Sequence, residues 1–303
     1  MSSFFDEIAR NNIKSVLLMA CFLLLFALII YFFVILLGGG ILAFILGLIV
    51  VAAYAAFTYF RGHKVVLKLS GAKEADRKQY GQLYGTVEGL ALAAQVPMPK
   101  VYIINDPSPN AFATGRNKNE SYVCVTSGLL STMNNREMQG VLSHEMSHIY
   151  DNDINFMMIA VVFAGVIGLI AALARGMLFF GFWGGNGRRG GFGNAGILVL
   201  IGLVIGLLAP AFALLLRLAI SRNREYMADA NGARMIRDPA ALAGALAKIK
   251  DYTANPKNRQ MRNVNEVTAS LYFSNPLSRR RLSNLFSTHP PIDERIRRLK
   301  EMY

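Results

Sequence analysis

Apolar residues fall in blocks too long for the core of one water-soluble domain. Val16 to Leu37 is apolar apart from Tyr31, three glycines follow at Gly38–Gly40, and Ile41 to Phe60 is apolar again. About 20 apolar residues cross the hydrocarbon layer of a bilayer, so the pattern predicts a transmembrane helical hairpin over 16–60 with a very short turn. Ile154 to Trp183 is interrupted by Arg175, and Gly193 to Leu216 contains Pro210. These two blocks predict a second hairpin over 154–216, its glycine-rich turn carrying Arg188 and Arg189. A cleaved signal peptide fits poorly, because a second apolar run begins at once with no A-x-A-like site before it.

Between and after the hairpins the pattern changes to shorter periods. In 61–153 it predicts a helix over Lys73–Gln95, stopped by Pro97 and Pro99. Short strands follow at Val101–Ile104, Ala111–Thr114 and Tyr122–Thr126, with Asn105-Asp106-Pro107 as a turn. Asn134 or Asn135 caps a helix over Arg136–Tyr150. In 217–303 the fourth apolar run continues as a helix to about Arg237. Asp238 with Pro239 opens another helix to Lys250, residues 252–281 read as a long polar stretch, and Asp293–Met302 as a basic helix. Each segment is short for a domain, and together they make one of ordinary size. The expected organisation is a short N-terminal segment (1–15), the hairpin 16–60, the first half of a polar domain (61–153), the hairpin 154–216, and the second half (217–303).

Composition agrees with this division. The chain of 303 residues is 53% hydrophobic and only 17% charged, against about 25% charged in an average soluble domain. Disorder and a disulfide scaffold are both excluded, the latter because there are two cysteines and Cys21 lies inside an apolar run. The net charge is +13, concentrated in 217–303 with seventeen basic and eight acidic side chains. Arg61, Lys64 and Lys68 follow the second span, and Arg217, Arg222 and Arg224 follow the fourth. Both termini and the polar segments are therefore expected on the cytoplasmic side, with Arg188 and Arg189 running against the rule. The basic segment is expected to meet anionic lipid. No aromatic–basic interleaving or DNA-binding motif points to nucleic acid.

Two of the four histidines fall in His144-Glu145-Met146-Ser147-His148, an H-E-x-x-H on a predicted helix. Residues four apart share a helix face, so both imidazoles can reach one ion while Glu145 addresses its water. A catalytic zinc site needs a third protein ligand. His63, beside a span and between basic residues, is a poor one and is expected at the lipid interface. Glu225 and Asp229 share a helix face at i, i+4; one carboxylate could bind the metal while the other accepts a hydrogen bond from a ligand imidazole. The same residues could equally form a solvated salt-bridge face with Arg222 and Arg224. A structural zinc module would show four closed ligands, often cysteines, which this chain lacks. A channel would carry more ionisable residues in its spans than Arg175.

The order of these motifs is specific. His144-Glu145-x-x-His148, a hydrophobic hairpin, then Ser221-Arg222-x-x-Glu225-Tyr226-x-Ala228-Asp229 resembles the HtpX family of membrane zinc metalloproteases, relatives of the CAAX prenyl endopeptidases. Asn110-Ala111-Phe112-Ala113-Thr114-Gly115 is similar to that family's N-A-F-A-x-G strand. Thr288-His289-Pro290-Pro291-x-Asp293-Glu294-Arg295-Ile296 is similar to its C-terminal motif. The resemblance covers nearly the whole chain. It implies an α-helical membrane protein with four transmembrane helices and a zincin-like α+β cytoplasmic metalloprotease domain. It also implies one Zn²⁺ per chain on His144, His148 and Glu225, with Asp229 beside them. Glu145 is then the general base and His289 a candidate donor to the oxyanion. If Asn110, Ala111, Phe112 and Ala113 form an edge strand, they can pair with an extended peptide. The expected substrates are unfolded or membrane-protein polypeptides, in quality control at a bacterial inner membrane. A CAAX-type prenyl-peptide endopeptidase would use the same residues but is expected to carry more spans.

Overall fold

A computed structural model describes residues 40–155, 222–255 and 290–302, together with residues 24, 27, 31, 258, 261 and 271–273. Most of the first apolar run and nearly all of the second hairpin lie outside them, as do His289, Arg175, Arg188, Arg189 and Arg279–Arg281. The chain divides into two compact units, one of residues 1–59 and 162–216, the other of residues 60–161 and 217–303.

Apart from residues 24, 27, 31 and 40, the described part of the first unit is the start of helix α1 (Ile41–Leu69). Ile41, Leu42 and Val50 are each more than two-thirds exposed, and an apolar surface of that kind needs cover from lipid or protein. Among the described residues no single helix is long and apolar enough to cross a membrane. The pair Phe44–Tyr54 and Tyr59–Leu69 passes that test together.

The second unit is a mixed α/β domain around a four-stranded sheet of order β1-β2-β4-β3. Its strands are β1 (Lys73–Glu74), β2 (Lys100–Ile104), β3 (Ala111–Asn117) and β4 (Glu120–Thr126). The pair β2–β4 is parallel, while β1–β2 and β3–β4 are antiparallel. The alternation of side chains along each strand feeds two cores. Val101, Ala111, Ala113, Val123 and Val125 face the helices. Ile104, Phe112, Tyr122 and Cys124 face the other way, onto Val66 and Leu67 from the end of α1 and onto Leu271 and Tyr272.

The helix expected from Lys73 begins later, as α2 (Gly81–Ala94). Lys73 and Glu74 pair with Ile103 and Tyr102, and the Asp76 carboxylate accepts the Lys78 N–H at 2.8 Å. That side chain offers the backbone a turn in place of a helix. Leu83, Val87, Leu90, Ala91 and Ala94 then make the buried stripe of α2. A short α3 (Ser127–Thr132) leads into α4 (Asn135–Tyr150). The capping residue of α4 is Asn134. Its Oδ1 accepts the Glu137 N–H, and Glu137 Oε2 accepts the Asn134 N–H, both at 2.9 Å. This reciprocal box satisfies two donors that a helix start leaves open.

Helices α5 (Arg222–Ile236), α6 (Pro239–Ala254) and α7 (Ile292–Lys300) complete the domain. Asp238 caps α6 by accepting the Ala241 N–H at 3.2 Å. Two glycines let helix backbones meet. A Cβ on Gly140 of α4 would stand 2.7 Å from Leu242 N of α6, and one on Gly232 of α5 would stand 2.9 Å from His144 N of α4. The expected polar stretch 252–281 is partly regular: α6 runs to Ala254, and Leu271, Tyr272 and Phe273 are buried.

Candidate metal centre

Helix α4 runs through the middle of the domain, and Met138 and every residue from Gly140 to Ile149 are buried. Sheet, α5 and α6 surround it, which fixes the rotation of the helix and thus the direction of its two histidines. His144 and His148 lie one turn apart with Nε2 atoms 3.2 Å from each other. Glu225, fully buried on α5, brings Oε2 to 3.8 Å of His144 Nε2 and Oε1 to 3.6 Å of His148 Nε2. The three groups each offer one ligand atom, all within 4.8 Å of one another. A tetrahedral zinc with bonds near 2.05 Å separates its ligand atoms by about 3.3 Å, so the spacing suits an ion of that size. Two imidazoles and one carboxylate are also the donor set zinc favours when a fourth position is left open.

The other nitrogen of each ring faces a carboxylate. His144 Nδ1 is 2.9 Å from Asp229 Oδ1, and His148 Nδ1 is 3.3 Å from Asp153 Oδ2. Each carboxylate fixes its imidazole with the proton on Nδ1 and Nε2 free to ligate. Both carboxylates are held in turn by a buried arginine. Arg295 of α7 grips Asp229 through Nε–Oδ2 at 2.8 Å and Nη2–Oδ1 at 2.7 Å. Arg224 Nη1 lies 3.3 Å from Asp153 Oδ1.

Burial and charge set the protonation of the site. Burial pushes the Glu145 carboxyl up to about 7; His148 opposes this and Glu225 adds to it, while the Ala113 N–H, which hydrogen-bonds the carboxylate, pulls it back. Burial lowers His144 to about 4 against the raising effect of its hydrogen bond to the Asp229 carboxylate. Burial would lower His148 too, but the Asp153 hydrogen bond and the Glu225 charge outweigh it and raise that ring to about 9. A carboxyl poised near neutrality suits proton transfer at pH 7.

His144, Glu145, His148, Glu225 and Asp229 thus come together, and a solvated salt-bridge face for Glu225 and Asp229 is excluded by their burial. Arg222 is exposed. His63 departs from expectation. It is fully buried, stacked on Tyr122 at 5.1 Å and 3.4 Å from Glu120 Oε1, because the end of α1 packs under the sheet. Among the described residues β3 pairs only with β4 and stands at the edge of the described sheet, but its start is covered. The Phe273 N–H donates to the Ala111 carbonyl at 2.8 Å. Asn110 joins β3 to Thr126: its N–H donates to Thr126 Oγ1 and its carbonyl accepts the Thr126 N–H. The sequence reading gave no site role to Asp153 or to Arg295, which it quoted only within the C-terminal motif, and took Arg224 for a surface salt-bridge partner. Asp153 hides in a turn-like Asp-Asn-Asp, and Arg295 in a run of basic residues that reads as a solvated helix face.

The profile of peptidase family M48 matches residues 77–303. A protease HtpX homolog of Caldanaerobacter subterraneus subsp. tengcongensis is 46% identical over 255 residues, 84% of this chain and 83% of that protein. One from Tropheryma whipplei is 42% identical over 298 residues, 98% of each chain. The crystal structure of S. mikatae Ste24p matches with a TM-score of 0.52 at 18% identity, over 97% of this chain and 66% of that one, a likeness of fold.

Proposed function

The chain belongs to peptidase family M48 and is an HtpX-like metalloprotease; from that premise we propose that it is a membrane-bound zinc endopeptidase cleaving loops or tails of damaged membrane proteins at the cytoplasmic face. The observation that carries this reading is the convergence of His144, His148 and Glu225 at one buried point, with Glu145 next to His144 on the same buried helix. In this reading each chain holds one zinc ion on those three residues. Zinc bound there supplies a Lewis acid that acidifies water and polarises a carbonyl.

The protein's own groups do the rest. Glu145 takes the proton of the attacking water and passes it to the leaving amine. The Ala113 N–H keeps the carboxylate of Glu145 oriented. Asp229 and Asp153 hold the two imidazoles against rotation. An extended substrate adds to β3 beyond the segment covered by Phe273, through main-chain hydrogen bonds that tolerate many sequences. His289 is proposed from sequence as a further donor to the oxyanion, a role in which loss of one donor costs about 10²–10³ in kcat.

The four apolar runs support a multi-pass anchor with its active site on the cytoplasmic side, and the basic segment 217–303 supports contact with anionic lipid. Polypeptide substrates in quality control follow from the resemblance to HtpX proteases. The test is zinc content and casein degradation by purified wild type, Glu145→Gln and Glu225→Ala after chelation and refilling. The expected result is one zinc in wild type and Glu145→Gln, activity in wild type alone, and weakened zinc binding in Glu225→Ala. Full affinity and activity in Glu225→Ala would remove it from the ligand set.

A further inference from the structure

We propose that Arg295 is a positioning residue for the metal ligand His144, acting through Asp229. The inference rests on the reading of His144 as a ligand. Arg295 is 1% exposed, and a guanidinium without water persists only where its donors are matched. All of its described partners lie at this site. Its Nε and Nη2 meet the two oxygens of Asp229 side by side. Its Nη1 donates to the Phe273 carbonyl at 3.2 Å and lies 3.9 Å from Glu225 Oε2, a charge contact that lysine would keep, and its Cζ lies 4.7 Å from the centre of the Phe273 ring. The same Phe273 ring meets His144 edge-on, with ring centres 4.9 Å apart.

Asp229 Oδ1 is the shared atom. It accepts from Arg295 Nη2 at 2.7 Å and faces His144 Nδ1 at 2.9 Å. With Nε2 turned to the ligand centre, Nδ1 carries the proton. The 3.4 Å approach of Nη2 to Nδ1 is then a meeting of two donors on one acceptor, not a bond between them. The fork therefore fixes the plane of the Asp229 carboxylate, and the carboxylate fixes the plane of the imidazole. Asp229 alone could swing about its own χ angles; gripped at both oxygens it cannot. Lysine keeps the charge but has no fork to hold two oxygens at once.

The alternative is that Arg295 only ties α7 to α5. Metal affinity separates the two, measured on the full chain in detergent after chelation. Zinc affinity is read by competition with a chromophoric chelator, ligand geometry by the visible spectrum of the cobalt-substituted protein, and stability by the melting temperature of the metal-free form. Partners that orient a ligand imidazole are worth about 10–100-fold in metal affinity. Arg295→Lys and Asp229→Asn are expected to weaken zinc by that factor and to alter the cobalt spectrum. The double variant is expected to be no weaker than Asp229→Asn alone, since the arginine acts through that carboxylate. Wild-type affinity and spectrum in Arg295→Lys, whatever its melting temperature, would overturn the proposal, as would losses that multiply in the double variant. His144→Ala checks the underlying reading separately: if it binds zinc as tightly as wild type, His144 is no ligand and the proposal falls with it. Arg295→Met risks misfolding, so the conservative pair carries the test.

Discussion

Gly232 of α5 lies against the backbone of His144 so closely that a Cβ would stand 2.9 Å from His144 N and 3.1 Å from its Cα. The contact is backbone on backbone, so no side chain can rotate out of the way. Glu225 sits two turns earlier on the same helix, and its reach to both imidazoles depends on that approach. Gly232→Ala is predicted to push α5 outward, costing about 1–3 kcal/mol as overpacking does and lowering zinc affinity with it. Chemical unfolding and zinc titration of the variant check this; unchanged values would mean that α4 and α5 can slide.

Glu145→Gln is predicted to change stability in a pH-dependent way as well as abolish turnover. The folded-state pKa of Glu145, about 7, lies above its ordinary 4.5. Its contribution is therefore fully present below pH 4.5 and lost as pH rises through 7, because the folded state holds the proton more tightly. The glutamine has no charge to bury. In metal-free protein its melting temperature should exceed wild type at pH 8 and match it near pH 4.5. Equal differences at both pH values would place the carboxylate in a more solvated setting.

Asp153→Asn is predicted to act in the neighbouring window. His148 is raised to about 9 with Asp153 as the strongest raising partner. That contribution is fully present below the unfolded value of about 6.5 and disappears as pH climbs through 9. The metal-free variant should be destabilised more at pH 6 than at pH 10, where the lost contact of Asp153 with Arg224 still costs stability. Its zinc affinity should fall about 10–100-fold, as for other outer partners of metal ligands. Thermal unfolding at the two pH values, with and without zinc, reads both effects.

Asn134→Ala offers a contrast, since its contribution is to folding alone. It removes the acceptor for the Glu137 N–H at the start of α4. The expected loss is about 0.5–2 kcal/mol of stability. His144 and His148 lie at the far end of that helix, so casein turnover per folded molecule should stay at the wild-type level. A drop in turnover matching that of Asp153→Asn would show that the cap also sets the ligand geometry.

The elements with strong local signals were legible in the sequence. Asn134 or Asn135 before an amphipathic run marked α4, Asp238-Pro239 marked α6, and β-branched residues marked β2 and β4. The metal centre was half legible: H-E-x-x-H states its own geometry, because i and i+4 must share a helix face. The choice between Glu225 and Asp229 was not, since both lie on one face and only packing decides which carboxylate reaches the Nε2 atoms. Lys73–Glu74 was misread because a two-residue strand has no period of its own; its pairing to β2 is a tertiary event. Arg295 stands in the C-terminal motif, but its role was illegible for a similar reason. Helix α7 carries several basic residues, and only the fold shows that this one turns inward to Asp229 while Arg297 and Arg298 stay on the surface with Glu294.

The sheet has one more consequence. Cys124 is fully buried, and burial, followed by the Glu145 charge, pushes its thiol well above the ordinary range. A thiol that neither ionises nor meets solvent reacts slowly with oxidants. The proposed ligand set is nitrogen and oxygen throughout, with no sulfur to be converted to sulfenate or disulfide. Peroxide that strips zinc from thiolate sites should leave this centre loaded, and zinc retention after such treatment would measure it.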